Sequence, residues 1–384
     1  MTVRTVAVLG SSGSIGTQAL DVIRRNPDRF DVVALAAGGD RADVLIAQAR
    51  EFGVGFVAVA DAAAAGAVAE ALPAIRVEAG ESAVAEAAGI GADVVLNGMT
   101  GSVGLGPTLA ALKAGSTLAL ANKESLVAGG ALVLAATRRP DQIVPVDSEH
   151  SALAQALGAG RRQDVRRLVL TASGGPFRGS SRADLAAVTP EQALRHPTWD
   201  MGPVVTINSA TLVNKALEVI EAHLLFGVPM DRIDVVVHPE SQVHSMVEFI
   251  DGSTVAQAST PDMRLPIALG LTWPERLADV VPAYDWSVPR LWTFEPLDED
   301  AFPAIRIARA AVASSPLHPA VFNAANEVAV DAFLAGTLSF PRIVDTVAAT
   351  LDAFIPPGEV TLDAVLEAER WARHTAGQLI ANRT

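Results

Sequence analysis

The chain has 384 residues, half of them hydrophobic, with no cysteine and a formal net charge of −14. That length exceeds what one core serves and predicts two or three domains, while the missing cysteines exclude disulfides, thiolate nucleophiles and cysteine-ligated zinc or iron–sulfur centres. The negative field repels polyanions, so no nucleic-acid partner is expected, and any phosphate site must be built locally from backbone N–H groups, a helix N-terminus or one placed lysine. No apolar run approaches the ~20 residues of a membrane helix. The early apolar run 6–9 is too short for a secretory leader. A cytoplasmic protein without a membrane partner is therefore expected.

In chain order, β-rich apolar runs fall at 5–9, 32–36, 56–60, 93–96, 117–121 and 143–146, with helical patterns between them at 15–25, 42–51 and 124–137. The alanine-rich run 62–71 reads as a plain surface helix. This alternation predicts a doubly wound parallel sheet, a Rossmann-like α/β domain, over residues 1–146. Residues 147–275 change character. Strand-like runs appear at 167–171, 204–207, 234–237 and 246–250, an Asp251-Gly252 hairpin signal leads into 254–258, and a long helical pattern covers 210–226. A central α+β domain is predicted. Seven prolines lie from Pro261 to Pro303, and 276–301 reads as a linker. Residues 302–384 keep helical periodicity and predict a C-terminal helical bundle.

"AVLGSSGSIGTQAL" follows the first strand and opens the first helix, with Gly10, Gly13 and Gly16 spaced three apart. The middle glycine is displaced by one position from the usual dinucleotide fingerprint. The physical need is unchanged: a tight turn, backbone N–H groups close to a pyrophosphate, and a positive helix end facing it. The second strand ends in Gly38, Gly39 and Asp40, and no carboxylate stands where a ribose 2′-hydroxyl usually finds one. The pattern points to NADP, with Arg41 as the phosphate partner and Asp40 as the contrary feature. A second cluster, "NGMTGSVGL" (97–105), follows another strand; it reads equally as a cofactor border or as a plain turn.

"QIVPVDSEHSAL" ends the last strand of the first domain with acidic residues at Asp147 and Glu149. In an extended chain these share a face, and two like charges there are tolerable with a cation between them. Oxygen ligands suit Mg²⁺ or Mn²⁺. A third carboxylate is expected elsewhere, and Glu218 is the best candidate, since Asn214, Lys215 and Glu218 share one helical face. A solvated Lys–Glu stripe would look the same. Glu221 is ranked as a surface group. Ser173, Gly174 and Gly175 form a small-residue turn able to present hydroxyl and N–H groups to an anion. "RHPTWDMGP" places His196, Trp199 and Met201 in a loop that reads as a lid. "LANKES" puts Asn122, Lys123 and Glu124 at a strand tip. His150 is left open; His223, His238, His244 and His318 read as core or surface groups.

Taken together, "GSSGSIGTQALDVI", "LANKESLV", "PVDSEH", "ASGGPF", "HPTWDMG", "NSATLVNKALEVIEA", "HPESQVHSMVEF", "PDMRLPIALGL" and "NAANEVAV" resemble the 1-deoxy-D-xylulose 5-phosphate reductoisomerase family from end to end. The resemblance implies an oxidoreductase of the non-mevalonate isoprenoid route. It would rearrange 1-deoxy-D-xylulose 5-phosphate, with retro-aldol cleavage and re-addition preferred over a concerted shift as the route, and reduce the product with NADPH to 2-C-methyl-D-erythritol 4-phosphate. It implies Asp147, Glu149 and Glu218 as carboxylates for Mg²⁺ or Mn²⁺. It implies Lys123, Ser148, Glu149, Ser173, His196, Trp199, Ser209, Asn214, Lys215 and Glu218 as substrate contacts, with Lys123 and His196 in the catalytic set. Ser12, Gly13, Ser14, Ile15, Gly38, Asn122, Glu124 and Gly202 match NADPH contacts, beside the Gly10, Gly39 and Asp40 read from the turns. Gly39-Asp40 departs from the family, where a basic residue or asparagine is common. A homodimer is implied. Two rivals remain: a metal-dependent sugar-phosphate isomerase holding dinucleotide only structurally, and a non-catalytic dinucleotide sensor.

Overall fold

The computed structural model describes residues 2–199 and 202–382. It divides into two compact units: Met1–Ser125 with Val133–Ser151 and Asp262–Pro282, and Leu126–Leu132 with Ala152–Pro261 and Ala283–Thr384.

The first unit is built on seven parallel strands: β1 (Arg4–Leu9), β2 (Phe30–Ala37), β3 (Phe56–Val59), β4 (Arg76–Ala79), β5 (Val94–Asn97), β6 (Thr117–Leu120) and β7 (Ile143–Pro145). Their order is β4-β3-β2-β1-β5-β6-β7. Strand β4 escapes sequence reading because "RVEA" is half charged and mostly exposed, as an edge strand can be. The other strands are apolar on both faces because helices cover both sides. Val6, Val8, Leu20, Leu35, Leu45 and Leu96 form the core and are essentially fully buried, each worth about 1.5–3 kcal/mol against exposure. The helix Arg264–Thr272 completes this core through Ile267, Ala268 and Leu271. Its Gly270 lies so near the sheet that a Cβ there would come within 2.8 Å of Val146. The chain order reverses between β1 and β5, and such a switch point opens a crevice above the carboxyl ends of the two strands.

The second unit carries a mixed sheet of β8 (Val165–Ala172), β9 (Ile233–Val237), β10 (Val243–Phe249), β11 (Thr254–Ala258) and β12 (Glu295–Pro296), ordered β11-β10-β8-β9-β12. The β10–β11 hairpin turns as predicted: Gly252 takes φ +88°, and the Asp251 carboxylate accepts from the Ser253 N–H at 2.9 Å. Helices Ala304–Ser314, His318–Leu334, Phe340–Ala353 and Leu362–Ala381 form the C-terminal bundle. One core runs from Leu168 and Leu170 on the sheet through Leu217 and Ile220 to Phe322 and Val347.

Residues 204–207 are not a strand. They lie in the helix Pro203–Ala210, with proline in its first turn and Thr206, Ile207 and Ala210 buried at helical spacing. Packing of that face overrides the β-preference of Val-Val-Thr-Ile. The next helix, Val213–Phe226, begins three residues later than the pattern suggests. Leu212 between them takes φ +59° with its side chain buried. A non-glycine residue there is strained by roughly 1–2 kcal/mol. The strain turns the chain between Ser209 and Asn214.

Candidate active site

In the first unit the glycine turn after β1 fits tightly. A Cβ at Gly10 would come within 2.6 Å of the Gly98 carbonyl oxygen, and one at Gly16 within 2.3 Å of the Gly10 oxygen. Gly10 also takes φ +76°, a conformation that favours glycine. The helix Ser14–Arg24 starts from Gly13 with no side-chain cap, which leaves its N-terminal N–H groups oriented for an anion. Gln48 locks the turn by donating to the Ser11 carbonyl at 2.9 Å. The second glycine cluster borders this turn, since Gly98 follows β5 across the switch point. Asn97 donates to Thr108 Oγ1 at 2.9 Å and to the Gly104 carbonyl at 3.2 Å. Asn122 donates to the carbonyls of Met99 at 2.7 Å and Gly101 at 2.8 Å, and caps the helix Lys123–Ala136. The glycines were legible in sequence. Gln48 and Asn97 were not, because a buried amide that ties loops together carries no spacing signature.

At the tip of β2, Gly39 takes φ +120°, and a Cβ there would meet that of Ala64 at 2.8 Å. The backbone conformation and the close packing both favour glycine at this position. Arg41 donates to the Ser12 carbonyl at 2.6 Å, so its guanidinium lies beside the glycine turn.

Strands β6 and β7 pair with Leu120 opposite Pro145. The residues just beyond their ends therefore meet, and Lys123 forms an ion pair with Asp147. The extended-chain reading of Asp147 and Glu149 does not hold. Strand β7 ends at Pro145, Ser148 opens the helix Ser148–Leu157, and Glu149 sits in its first turn. A carboxylate there is favoured by the helix dipole. The Ser148 hydroxyl donates to Glu149 Oε2 at 2.5 Å. His150 is fully buried with Nδ1 3.8 Å from the Asp147 carboxylate, so it belongs with the acidic pair.

In the second unit, helix Val213–Phe226 presents Asn214, Lys215 and Glu218 as one cluster. Asn214 Nδ2 donates to Glu218 Oε1 at 2.5 Å, and Lys215 Nζ pairs with Glu218 Oε2. Both charged groups are buried, with side chains 5% and 1% exposed, which excludes the solvated-stripe reading. Glu221 is also fully buried, against the surface role expected for it.

Ser173, His196 and Ser209 meet in the same unit. His196 Nε2 lies 3.1 Å from the hydroxyl of each serine. Its Nδ1 accepts the backbone N–H of Thr198 at 3.1 Å and of Trp199 at 2.9 Å. The proton of the neutral ring must then sit on Nε2, aimed at the serines. Burial lowers the His196 pKa below its ordinary 6.5. Gly174 and Gly175 take φ of +83° and +65°, and the Gly175 N–H donates to Ser173 Oγ at 3.2 Å. Trp199 packs edge-on against His244, ring centres 6.2 Å apart. Gly202 caps the helix Pro203–Ala210 without a side-chain bond. Met201 lies outside the described residues.

The depressed His196 pKa gives a testable sign. The unfolded chain binds the proton more readily than the folded one, so the stabilisation His196 contributes is present above the ordinary histidine pKa and fades as pH falls through it. The stability gap between the protein and its His196→Gln variant should be wider at about pH 8 than at about pH 5.5. Urea unfolding at the two pH values measures it.

The model of the 1-deoxy-D-xylulose 5-phosphate reductoisomerase family matches residues 6–130, and those of its two C-terminal domains match 143–226 and 258–375. The chain is 63% identical to the 1-deoxy-D-xylulose 5-phosphate reductoisomerase of Beutenbergia cavernae, covering 100% of this chain and 98% of that one. It is 60% identical to that of Kitasatospora griseola, over 98% and 100% of the two chains. Among solved structures, the Zymomonas mobilis 1-deoxy-D-xylulose 5-phosphate reductoisomerase in complex with NADPH aligns with a TM-score of 0.92 at 42% identity, over 99% of each chain. A DOX-P reductoisomerase in complex with NADPH, fosmidomycin and magnesium aligns at 0.91 and 34% identity, over 99% of this chain and 98% of that one. With the two glycine turns at the sheet's switch point and the lysine-paired carboxylates in place, the chain belongs to the 1-deoxy-D-xylulose 5-phosphate reductoisomerase family.

Proposed function

We propose that Asp147, Glu149 and Glu218 supply the carboxylates for the divalent ion of the family reaction. The reaction is the NADPH- and metal-dependent rearrangement and reduction of 1-deoxy-D-xylulose 5-phosphate to 2-C-methyl-D-erythritol 4-phosphate. The donor set fits the ion: carboxylate oxygens alone, with no thiolate in the chain, suit Mg²⁺ or Mn²⁺. The glycine turn fits the dinucleotide, because the space a Cβ would fill at Gly10 and Gly16 is already taken by backbone. When bound, the ion supplies Lewis-acid polarisation of the ketose oxygens and NADPH supplies the hydride.

The chain's own residues do the rest. Ser173, Ser209 and the Nε2–H of neutral His196 form a donor cluster suited to a phosphate, and Asn214 and Lys215 extend that set. An anchored phosphate holds the substrate while its carbon skeleton reorganises. Lys123 orients a substrate hydroxyl next to Asp147, and Trp199 covers the reacting carbons against water. Ser12, Gly13, Ser14, Ile15, Gly38, Asn122, Glu124 and Gly202 contact the dinucleotide, with Arg41 facing its 2′-phosphate and Gly39-Asp40 shaping the turn.

We assign nucleotide binding to 1–146, catalysis and dimerisation to 147–275, the link to 276–301 and a supporting bundle to 302–384. A cytoplasmic homodimer belongs to the same reading; the exposed Trp286, Leu291 and Phe294 in the second unit favour a covered surface. The observation that carries the site assignment is the buried Asn214–Lys215–Glu218 cluster, an amide, an ammonium and a carboxylate held together on one helix. The test is NADPH oxidation with 1-deoxy-D-xylulose 5-phosphate, with and without chelator. Oxidation that stops with chelator and returns with Mg²⁺ or Mn²⁺ is expected. Substrate conversion without NADPH consumption, or a rate indifferent to chelator, would overturn it.

A further inference from the structure

The motif "NAANEVAV" (323–330) contributes no side chain to the site above. It lies on the helix His318–Leu334, whose Ala329, Val330 and Phe333 share a core cluster with Ile207 and Ala210 of the helix Pro203–Ala210. Within this apolar packing Asn326 Nδ2 donates to Asn208 Oδ1 at 2.9 Å. Both residues are buried, 0% and 4% exposed. Asn326 Oδ1 has no hydrogen-bond partner among the described residues. An apolar pair of similar shape would fill this space without leaving a buried polar atom unsatisfied. What the amides add is direction: a hydrogen bond fixes one helix along the other, where apolar contacts alone tolerate sliding.

Asn208 directly precedes Ser209, whose hydroxyl lies 3.1 Å from His196 Nε2. The same stretch of backbone supports the Ser173 turn. A Cβ at Gly175 would come within 3.1 Å of the Ser209 carbonyl oxygen and 3.2 Å of Ala210 Cα, and the Gly175 N–H donates to Ser173 Oγ. Where the helix Pro203–Ala210 sits along its neighbour therefore sets how Ser173, His196 and Ser209 converge. We infer that the buried Asn208–Asn326 pair fixes that position, and that Asn326 is a positioning residue for substrate phosphate, which it does not touch. This rests on the phosphate role proposed above for Ser173, His196 and Ser209. Small misplacements of an anchoring group are costly, because the donors must meet one anion together.

Steady-state kinetics on the full-length enzyme with NADPH and Mn²⁺ test it. Asn326→Ala removes the bond with a side chain small enough to fit. In the folded enzyme, KM for 1-deoxy-D-xylulose 5-phosphate and the inhibition constant of inorganic phosphate should both rise about tenfold, roughly the worth of one hydrogen bond, while the Kd for NADPH stays that of the wild type. A merely structural role would lower melting temperature and the active fraction and leave both constants alone. The double variant Asn208→Leu with Asn326→Leu leaves no amide unpaired, so it should recover stability and still keep both constants raised. Wild-type KM and wild-type phosphate inhibition in both variants overturn the inference. Ser209→Ala separates it from the assignment it rests on. If phosphate inhibits Ser209→Ala as it does the wild type, the phosphate assignment fails. If Ser209→Ala loses phosphate sensitivity while both Asn326 variants keep theirs, the positioning role alone fails.

Discussion

Glu218→Gln is expected to lower turnover by more than the ~10–100-fold typical of residues that only support a metal ligand. The substitution keeps the shape and removes the charge. A glutamine can still accept from Asn214, whose donor lies 2.5 Å from Oε1, but its NH₂ group would face the Lys215 ammonium. Two costs follow. On the proposed ligand set the ion would lose one of three anionic ligands, and the buried Lys215 would lose its pairing with the Glu218 carboxylate. Breaking a pair as buried as this one destabilises a protein by about 3–5 kcal/mol, so melting temperature and turnover must be measured on the same sample. Steady-state kinetics on the folded fraction, at saturating Mn²⁺, isolate the catalytic loss. Near-normal turnover would remove Glu218 from the metal shell.

Gly16→Val is expected to abolish measurable NADPH binding. The first branch atom would lie 2.3 Å from the Gly10 oxygen and 2.5 Å from Ser11 Cα. Both are backbone, so no side chain can swing aside, and the turn after β1 must open or the helix Ser14–Arg24 must shift. Forcing atoms into a packed site costs about 1–3 kcal/mol or more. Here the displaced atoms are those that would face the pyrophosphate, so affinity falls further than stability. Quenching or enhancement of NADPH fluorescence on titration measures the Kd. A variant that folds and binds NADPH normally would show that the turn is not the nucleotide site.

The first unit was largely readable because its signals are local. Parallel strands buried on both faces read as apolar runs, and glycines forced by close backbone approach stand out at fixed spacing. Where neighbours decided, reading failed. The run 204–207 has strand composition, yet its buried face and Pro203 make it a helix. Glu149 reads as strand from the apolar run before it, yet the strand ends at Pro145 and the helix that starts at Ser148 puts Glu149 in its first turn. Glu221 looked like surface because a charged helical residue usually is; only the packed unit shows it buried. Of the site, the motifs named the side chains. What they could not give is which partner each holds: Lys123 on Asp147 follows from the β6–β7 register, and the two-serine environment of His196 from a loop without periodicity.

The central claim is that Asp147, Glu149 and Glu218 supply the ligands of one divalent ion. Crystals of the protein grown with Mn²⁺, NADPH and substrate or product, with anomalous scattering recorded at the manganese edge, test it most directly. The account predicts one strong peak per chain, with oxygens of Asp147, Glu149 and Glu218 all within about 2.0–2.6 Å, the range of such hard-ion bonds. A peak that lacks any of these three carboxylates, or is located elsewhere, would contradict it.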